Sequence, residues 1–150
     1  ALLELYKLDS AKAVKYAMKL ESLKSDLLKT RIAEIYAKTG NAQFIGFYDK
    51  LLPKQSGFSS FPFFNAYSKM VATLDSEGMK ERVEVLHKIG SNQSSGMFTR
   101  YASTKALSDI RKLIKDDEEN AEMVDLITEK IENIKNVETS SRLKSMYGGF

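Results

Sequence analysis

The chain is expected to be all-α, with helices in antiparallel pairs stacked as an α-α superhelix. Three observations predict this. Strand signals are nearly absent, with no sustained apolar/polar alternation and no Asn-Gly or Asp-Gly hairpin. Apolar residues instead recur at helical spacing between capping signals along the whole chain. Short signatures from the first helices then return later in the chain at nearly one common shift, which suits stacked units.

The best-punctuated stretch is Lys24 to Asn41. Ser25 can cap its start with a side-chain oxygen, and Gly40 can turn left-handed past its end. Leu28, Ile32, Ile35, Tyr36 and Thr39 share one face. At its centre sits Thr30-Arg31-Ile32-Ala33, with Ala37 one turn on.

The other elements follow in order. A first helix covers Ala1 to Lys7. Asp9 or Ser10 caps a second, to about Glu21, with Ala13, Tyr16, Ala17 and Leu20 inward. After the Lys24–Thr39 helix, Asn41 caps another to about Leu52, with Phe44, Ile45, Tyr48, Leu51 and Leu52 inward. Pro53 and Gly57 end it. Ser59 or Ser60 opens the next, and Pro62 suits its first turn, where a missing N–H costs nothing. Phe64, Tyr67, Val71 and Leu74 follow at helical spacing. Asp75 or Ser76 starts a helix to about Ile89, with Met79, Val83, Leu86 and Ile89 inward and Gly90 closing it. Ser91 to Gly96 is a polar loop. A long helix runs from Met97 to about Lys115, with Tyr101, Ala102, Ala106, Ile110 and Leu113 inward. Asp116 to Glu119 place acids on the first turn of a final helix, where the macrodipole favours them. Its stripe is Val124, Ile127, Ile131 and Ile134. This makes seven or eight helices in one domain, 1–137. The polar stretch 138–150 is expected to be a flexible tail.

Composition narrows the function classes. A chain of 150 residues can bury a real core. Its net charge of +3, with lysines and acids interspersed, is too weak and mixed to argue for nucleic acid. With no cysteine there is no disulfide framework, thiolate nucleophile or cysteine zinc site. No apolar run approaches a membrane span, so no membrane insertion is expected. The start, ALLELYKLDS, carries charges where a signal peptide has an apolar run. It lacks an initiator Met and opens inside a helix, as expected of a fragment of a longer chain.

Leu8-Asp9-Ser10 recurs as Leu74-Asp75-Ser76. At nearly the same shift, Thr30-Arg31-Ile32-Ala33 recurs as Thr99-Arg100-Tyr101-Ala102, again with an alanine (Ala106) one turn later. Lys38-Thr39-Gly40-Asn41 has a looser partner in Lys88-Ile89-Gly90-Ser91. The first two shifts are each two units of roughly 33 to 35 residues, the scale of HEAT/ARM-like helix pairs. One amphipathic hairpin cannot cover its own apolar face, so neighbours stack. Ala33, Ala37, Ala102 and Ala106 let a second helix approach closely. The arginine can lie across the next unit, its stem packed and its head in water.

The runs KLDSAKAVKYAMKLES, LKSDLLKTRIAEIYAKTGN and VLHKIGSNQSSGMFTRYASTKALSDI, around an aromatic-rich middle, carry a family resemblance. Over about residues 1–137 the chain resembles the C-terminal HEAT-like helical domain of zinc aminopeptidases of the aminopeptidase N family, in particular its bacterial members. The likeness rests on repeat texture and includes no catalytic signature. It implies a non-catalytic domain of an enzyme that removes N-terminal residues from peptides. Such a domain packs on the catalytic domain of the same chain and restricts access to its cavity. The zinc belongs to that absent catalytic domain, and the partners are that domain and the parent's peptide substrate. The family's helical domain can present basic side chains to the substrate; Arg31 and Arg100 are candidates, and neither is assigned. The alternative is a free-standing HEAT-type scaffold for another protein.

No residue is assigned a catalytic, cofactor-binding or metal-binding role. The family's His-Glu-x-x-His and Gly-x-Met-Glu-Asn motifs are missing, and the single histidine, His87, cannot build a two-histidine site. Beside Leu86 and Ile89 it reads as a rim residue. Ser56, Ser59, Ser60, Ser91, Ser94 and Ser95 cluster in loops without a nucleophile elbow. GSNQSSG at 90–96 lacks the Gly-Lys-Ser/Thr of a phosphate loop, and Asp116–Glu119 lacks the spacing of a calcium loop. Both read as structural. The aromatic cluster stands out: Phe44, Phe47, Tyr48, Phe58, Phe61, Phe63, Phe64 and Tyr67 are eight of the fifteen aromatics. It reads either as a local core under an interhelix loop or as an exposed surface that docks on another domain. The stripe Val124, Ile127, Ile131, Ile134 reads as a terminal cap or a dimer seam.

Overall fold

The computed structural model describes residues 1–150 as nine α-helices with short 3-10 turns and no strand. They are α1 (Leu2–Leu8), α2 (Ser10–Leu20), α3 (Asp26–Thr39), α4 (Ile45–Leu51), α5 (Phe61–Val71), α6 (Ser76–Ser91), α7 (Met97–Ile114), α8 (Ala121–Val137) and α9 (Ser141–Met146). The helices sort into two layers. Successive odd helices α1, α3, α5 and α7 pack side by side, and α6 packs on α8 in the other layer. This is the α-α repeat arrangement expected from the helical pattern.

The registers show how the layers run. Glu84 meets Lys130 at 2.9 Å and His87 meets Asn133 at 2.8 Å, at the same offset along the two helices, so α6 and α8 lie parallel. Phe58 meets Phe98, and Phe61 meets Tyr101, again at one constant offset, so α5 and α7 lie parallel too. α6 and α7 form the antiparallel hairpin between the layers, pinned where Ser103 Oγ donates to the Leu86 carbonyl at 2.8 Å.

The caps are local chemistry and stand where the sequence puts them. Ser25 accepts from the Leu28 N–H at 3.3 Å, and Gly40 ends α3 with φ of 61°. Asp9 and Asp75, the acids of the recurring Leu-Asp-Ser, accept from Lys12 N–H at 2.9 Å and Gly78 N–H at 2.8 Å. Both open helices of the even layer, so that echo marks equivalent places in the stack. The Thr-Arg-apolar-Ala echo links α3 and α7, the two odd helices that flank α5. Its arginines are not equivalent. Arg31 is exposed and pairs with Glu34 at 2.7 Å within its own helix, whereas Arg100 is buried.

The core runs through both layers and joins Ile32, Ile35 and Tyr36 of α3 to Phe63, Tyr67 and Met70 of α5, then to Leu86, Leu107, Ile110 and Ile131. α5 is buried around most of its circumference, because it has α3 on one side and α7 on the other. Buried polar tips find partners, except Ser108 Oγ and the Tyr147 hydroxyl. The Tyr48 hydroxyl donates to the Ala33 carbonyl and the Tyr36 hydroxyl to Glu21. Burial, and for Tyr36 the Glu21 carboxylate, pushes both phenols above their usual range. Arg82 reaches from α6 to Asp49 of α4 at 2.6 Å, and the Tyr67 hydroxyl donates to the same carboxylate at 3.4 Å.

Four expectations need correction. Gly90 does not close α6, which runs on to Ser91. It is buried, and a Cβ there would lie 2.8 Å from Ile134 Cδ1 and 2.9 Å from Thr104 Oγ1. Its role is close approach of α6 to α7 and α8. Leu113 and Tyr16 point outward. On α7 the core face steps one helical turn at a time from Ala106 through Ile110 to Ile114, which leaves Leu113 on the flank. α5 stops at Val71, short of Leu74. The fourth correction is the stretch 138–150, expected as a loose tail. It forms α9, a helix beyond the expected set, and a closing turn, with Glu138, Leu143 and Tyr147 buried.

Candidate functional site

The aromatic cluster divides in two. Phe44, Tyr48, Phe63, Phe64 and Tyr67 are buried in the core; Phe44 stacks on Tyr36 with ring centroids 3.9 Å apart, and Phe47 packs edge-on against Tyr36. Phe58 and Phe61 leave the cluster and meet aromatics from the far end of the chain. Phe58 sits 4.9 Å from Phe61 and 5.9 Å from Phe98. Phe61 lies 5.7 Å from Tyr101, and Tyr101 reaches Phe150 at 5.6 Å. Phe58 is 69% exposed and Phe98 44%, so the ladder of rings forms a surface, not a core.

Local sequence sets this ladder in place. Gly57 adopts φ of 71°, and Ser60 Oγ returns to the Gly57 carbonyl at 2.7 Å. That turn carries Phe58 outward before Pro62 starts α5. Gly96 opens α7 at the same end of the odd layer, which places Phe98 beside Phe58. The spacing Phe-x-x-Phe at 58–61 recurs as Phe-x-x-Tyr at 98–101. That echo is the sequence signal for Phe98 and Tyr101. Its shift is much shorter than that of the capped-helix echoes, so the two-unit period does not reveal it.

The C-terminal segment seals the lower end of the ladder. Arg100 Nε donates to Glu138 Oε2 at 2.9 Å and Nη2 to Oε1 at 3.1 Å, while Nη1 donates to the Ser95 carbonyl at 2.5 Å. Glu138 Oε1 also accepts the Ser140 N–H at 2.8 Å. Burial pushes the Glu138 carboxyl up, but hydrogen bonds from Arg100 and Ser140 outweigh it and hold the group below its usual range. Gln93 Oε1 takes the Thr139 N–H and hydroxyl, at 3.3 and 3.1 Å. Tyr147 then stacks parallel to Tyr101.

A second concavity crosses the odd layer. It holds about 360 Å³ between Glu34 of α3, Phe61 and Asn65 of α5, and Ala102, Lys105 and Ala106 of α7. The small alanines form its floor, and Lys105 is tied to Asp109 at 2.5 Å. Of the other residues weighed from sequence, Ser59 and Ser60 belong to the turn that carries Phe58, whereas His87 and Asp117 lie apart from both places. His87 Nε2 meets Asn133 on the α6–α8 rim. Asp117 accepts from the Glu119 N–H at 3.1 Å as a helix cap. Ser91 Oγ returns to the His87 carbonyl at 2.8 Å, and the loop after it serves Arg100 with two carbonyls. No three His, Cys, Asp or Glu side chains converge to hold a metal ion, and no helix is long and apolar enough to cross a membrane.

Fold and surface together define a class, a two-layer α-helical repeat with one aromatic face. No protein-family model, curated protein or solved structure matches the chain.

Proposed function

We propose that the chain is a non-catalytic docking module, the helical-repeat part of a zinc-dependent aminopeptidase, and that it packs on the catalytic domain through its aromatic face. The observation that carries the docking half is the exposure of Phe58 and Phe98 within a contiguous ladder of rings. Holding an aromatic surface of this kind in water costs free energy that contact with a partner recovers. Aromatic side chains also dominate the anchoring points of protein interfaces. The aminopeptidase half rests on the sequence resemblance. The parent enzyme would supply the zinc and the peptide cleavage; this part would wall its cavity.

A free-standing scaffold is the second reading, and the alanine-floored cleft across α3, α5 and α7 favours it. The two readings separate by the reading frame and by chemistry. The aminopeptidase reading requires a His-Glu-x-x-His motif in the same open reading frame, N-terminal to Ala1. It also expects the isolated chain to retain no zinc after dialysis and to release nothing from aminoacyl-anilides. A frame without that motif contradicts it, and stoichiometric zinc in the isolated chain contradicts the non-catalytic role.

A further inference from the structure

A groove runs along α2, α3 and α4 and meets the odd-layer cleft only at Pro62. Its main part holds about 650 Å³ and continues into a cleft of about 330 Å³; the two share Lys29, Leu51 and Lys54. The floor is apolar and aromatic, from Phe44, Phe47 and Leu51. The rims are basic. Lys29 and Lys54 line both parts, Lys50 lines the first and Arg31 the second. The three lysines, like most lysines of the chain, form no ion pair; what sets them apart is that they line one groove. Two carboxylates face the same space. Glu21 is engaged by the Tyr36 hydroxyl, and Asp26 sits on the first turn of α3.

Three unpaired ammonium groups around one groove repel one another, and an anion between them would relieve that. A simple inorganic anion would leave the aromatic floor wet. An occupant that satisfies both features carries carboxylates and apolar side chains along an extended backbone. We infer that this groove binds an acidic, leucine- or phenylalanine-bearing peptide segment. The carboxylates pair with Lys29, Lys50 and Lys54, and the apolar side chains lie on Phe44, Phe47 and Leu51. Gly46 helps shape the floor: a Cβ there would meet nothing within 4 Å, so its missing side chain leaves the groove open. This inference stands independently of any aminopeptidase parent.

Fluorescence anisotropy with a short labelled peptide alternating Glu and Leu tests it. The whole chain is expected to bind this peptide saturably, and not its Lys-Leu counterpart. Charge reversal in K29E/K50E/K54E should weaken binding at least ~10-fold, which corresponds to about 1.4 kcal/mol. Raising the salt to half-molar should weaken it too. Gly46→Leu fills the groove without touching a charge and favours the α4 helix, so it should abolish binding while the thermal midpoint holds or rises. Four results would overturn the proposal: no binding, equal binding by the triple-lysine variant, equal binding by Gly46→Leu, or equal affinity for a Glu-Ser peptide. Displacement by millimolar inorganic phosphate as effective as by unlabelled Glu-Leu peptide would overturn it as well, because it would reduce the site to an anion cluster.

Discussion

At Gly90 the backbone of α6 comes so close to α7 and α8 that a methyl group has no room. Alanine should gain about 1 kcal/mol of helix propensity there and lose about 1–3 kcal/mol to overpacking, for a net destabilisation. Chemical denaturation should show Gly90→Ala with a lower midpoint. Ile134→Val should cost less in that background than alone, because it removes the Cδ1 atom that clashes. Arg100 and Glu138 make the larger claim at this scale. Removing one partner of a buried pair strands the other, so Glu138→Ala should cost about 3–5 kcal/mol, while an exposed pair such as Arg31–Glu34 should cost at most about 1 kcal/mol. Folding holds the Glu138 carboxyl below its ordinary 4.5. Its contribution is therefore present above that pH and is lost as pH falls through the lower folded value. Denaturation midpoints followed through the acid range should fall more steeply for the native chain than for Glu138→Gln. Ser108 Oγ is buried with no partner, so Ser108→Ala should be neutral or stabilising by up to about 1 kcal/mol.

At the scale of elements, α9 holds the surprise. Residues 138–150 are mostly polar, with two glycines just before the final Phe150, and composition alone reads them as loose. What folds them is non-local: one carboxylate facing a buried arginine far back in the chain, and Leu143 and Tyr147, a single i,i+4 pair in a segment too short to show a helical stripe. Truncation after Val137 should therefore lower stability by at least as much as Glu138→Ala, about 3–5 kcal/mol or more, because the buried pair is lost together with the burial of Leu143 and Tyr147. A truncated chain with an unchanged urea midpoint would restore the tail reading. The capped helices were legible because caps are local. Ser25, Asp9, Asp75 and Gly40 each act within one turn of the helix end they serve. Gly90 departs from its expected stop for the converse reason. Glycine near the end of an apolar run signals a stop only if the helix has no neighbour pressing on it, and α7 and α8 press on this one.

At the scale of the molecule, the stacking of units was legible and the surface was not. The Leu-Asp-Ser and Thr-Arg-apolar-Ala echoes do connect same-layer helices, since similar neighbours select similar residues. They do not transfer roles, as Arg31 and Arg100 show. The aromatic middle could be read as core or as docking face, and it supplies both a core and an exposed ladder. Which rings went where depended on α7 arriving beside α5, a tertiary fact. The central claim is that the outer set, Phe58, Phe61, Phe98 and Tyr101, is a protein-binding face, with the catalytic domain of the proposed parent as its partner. Calorimetric titration of this chain into that catalytic domain, expressed separately, tests it most directly. The account predicts saturable binding with a negative heat-capacity change, abolished by F58D/F98D in a chain whose helix content is unchanged. Absence of binding by the native chain, or equal binding by F58D/F98D, would contradict it.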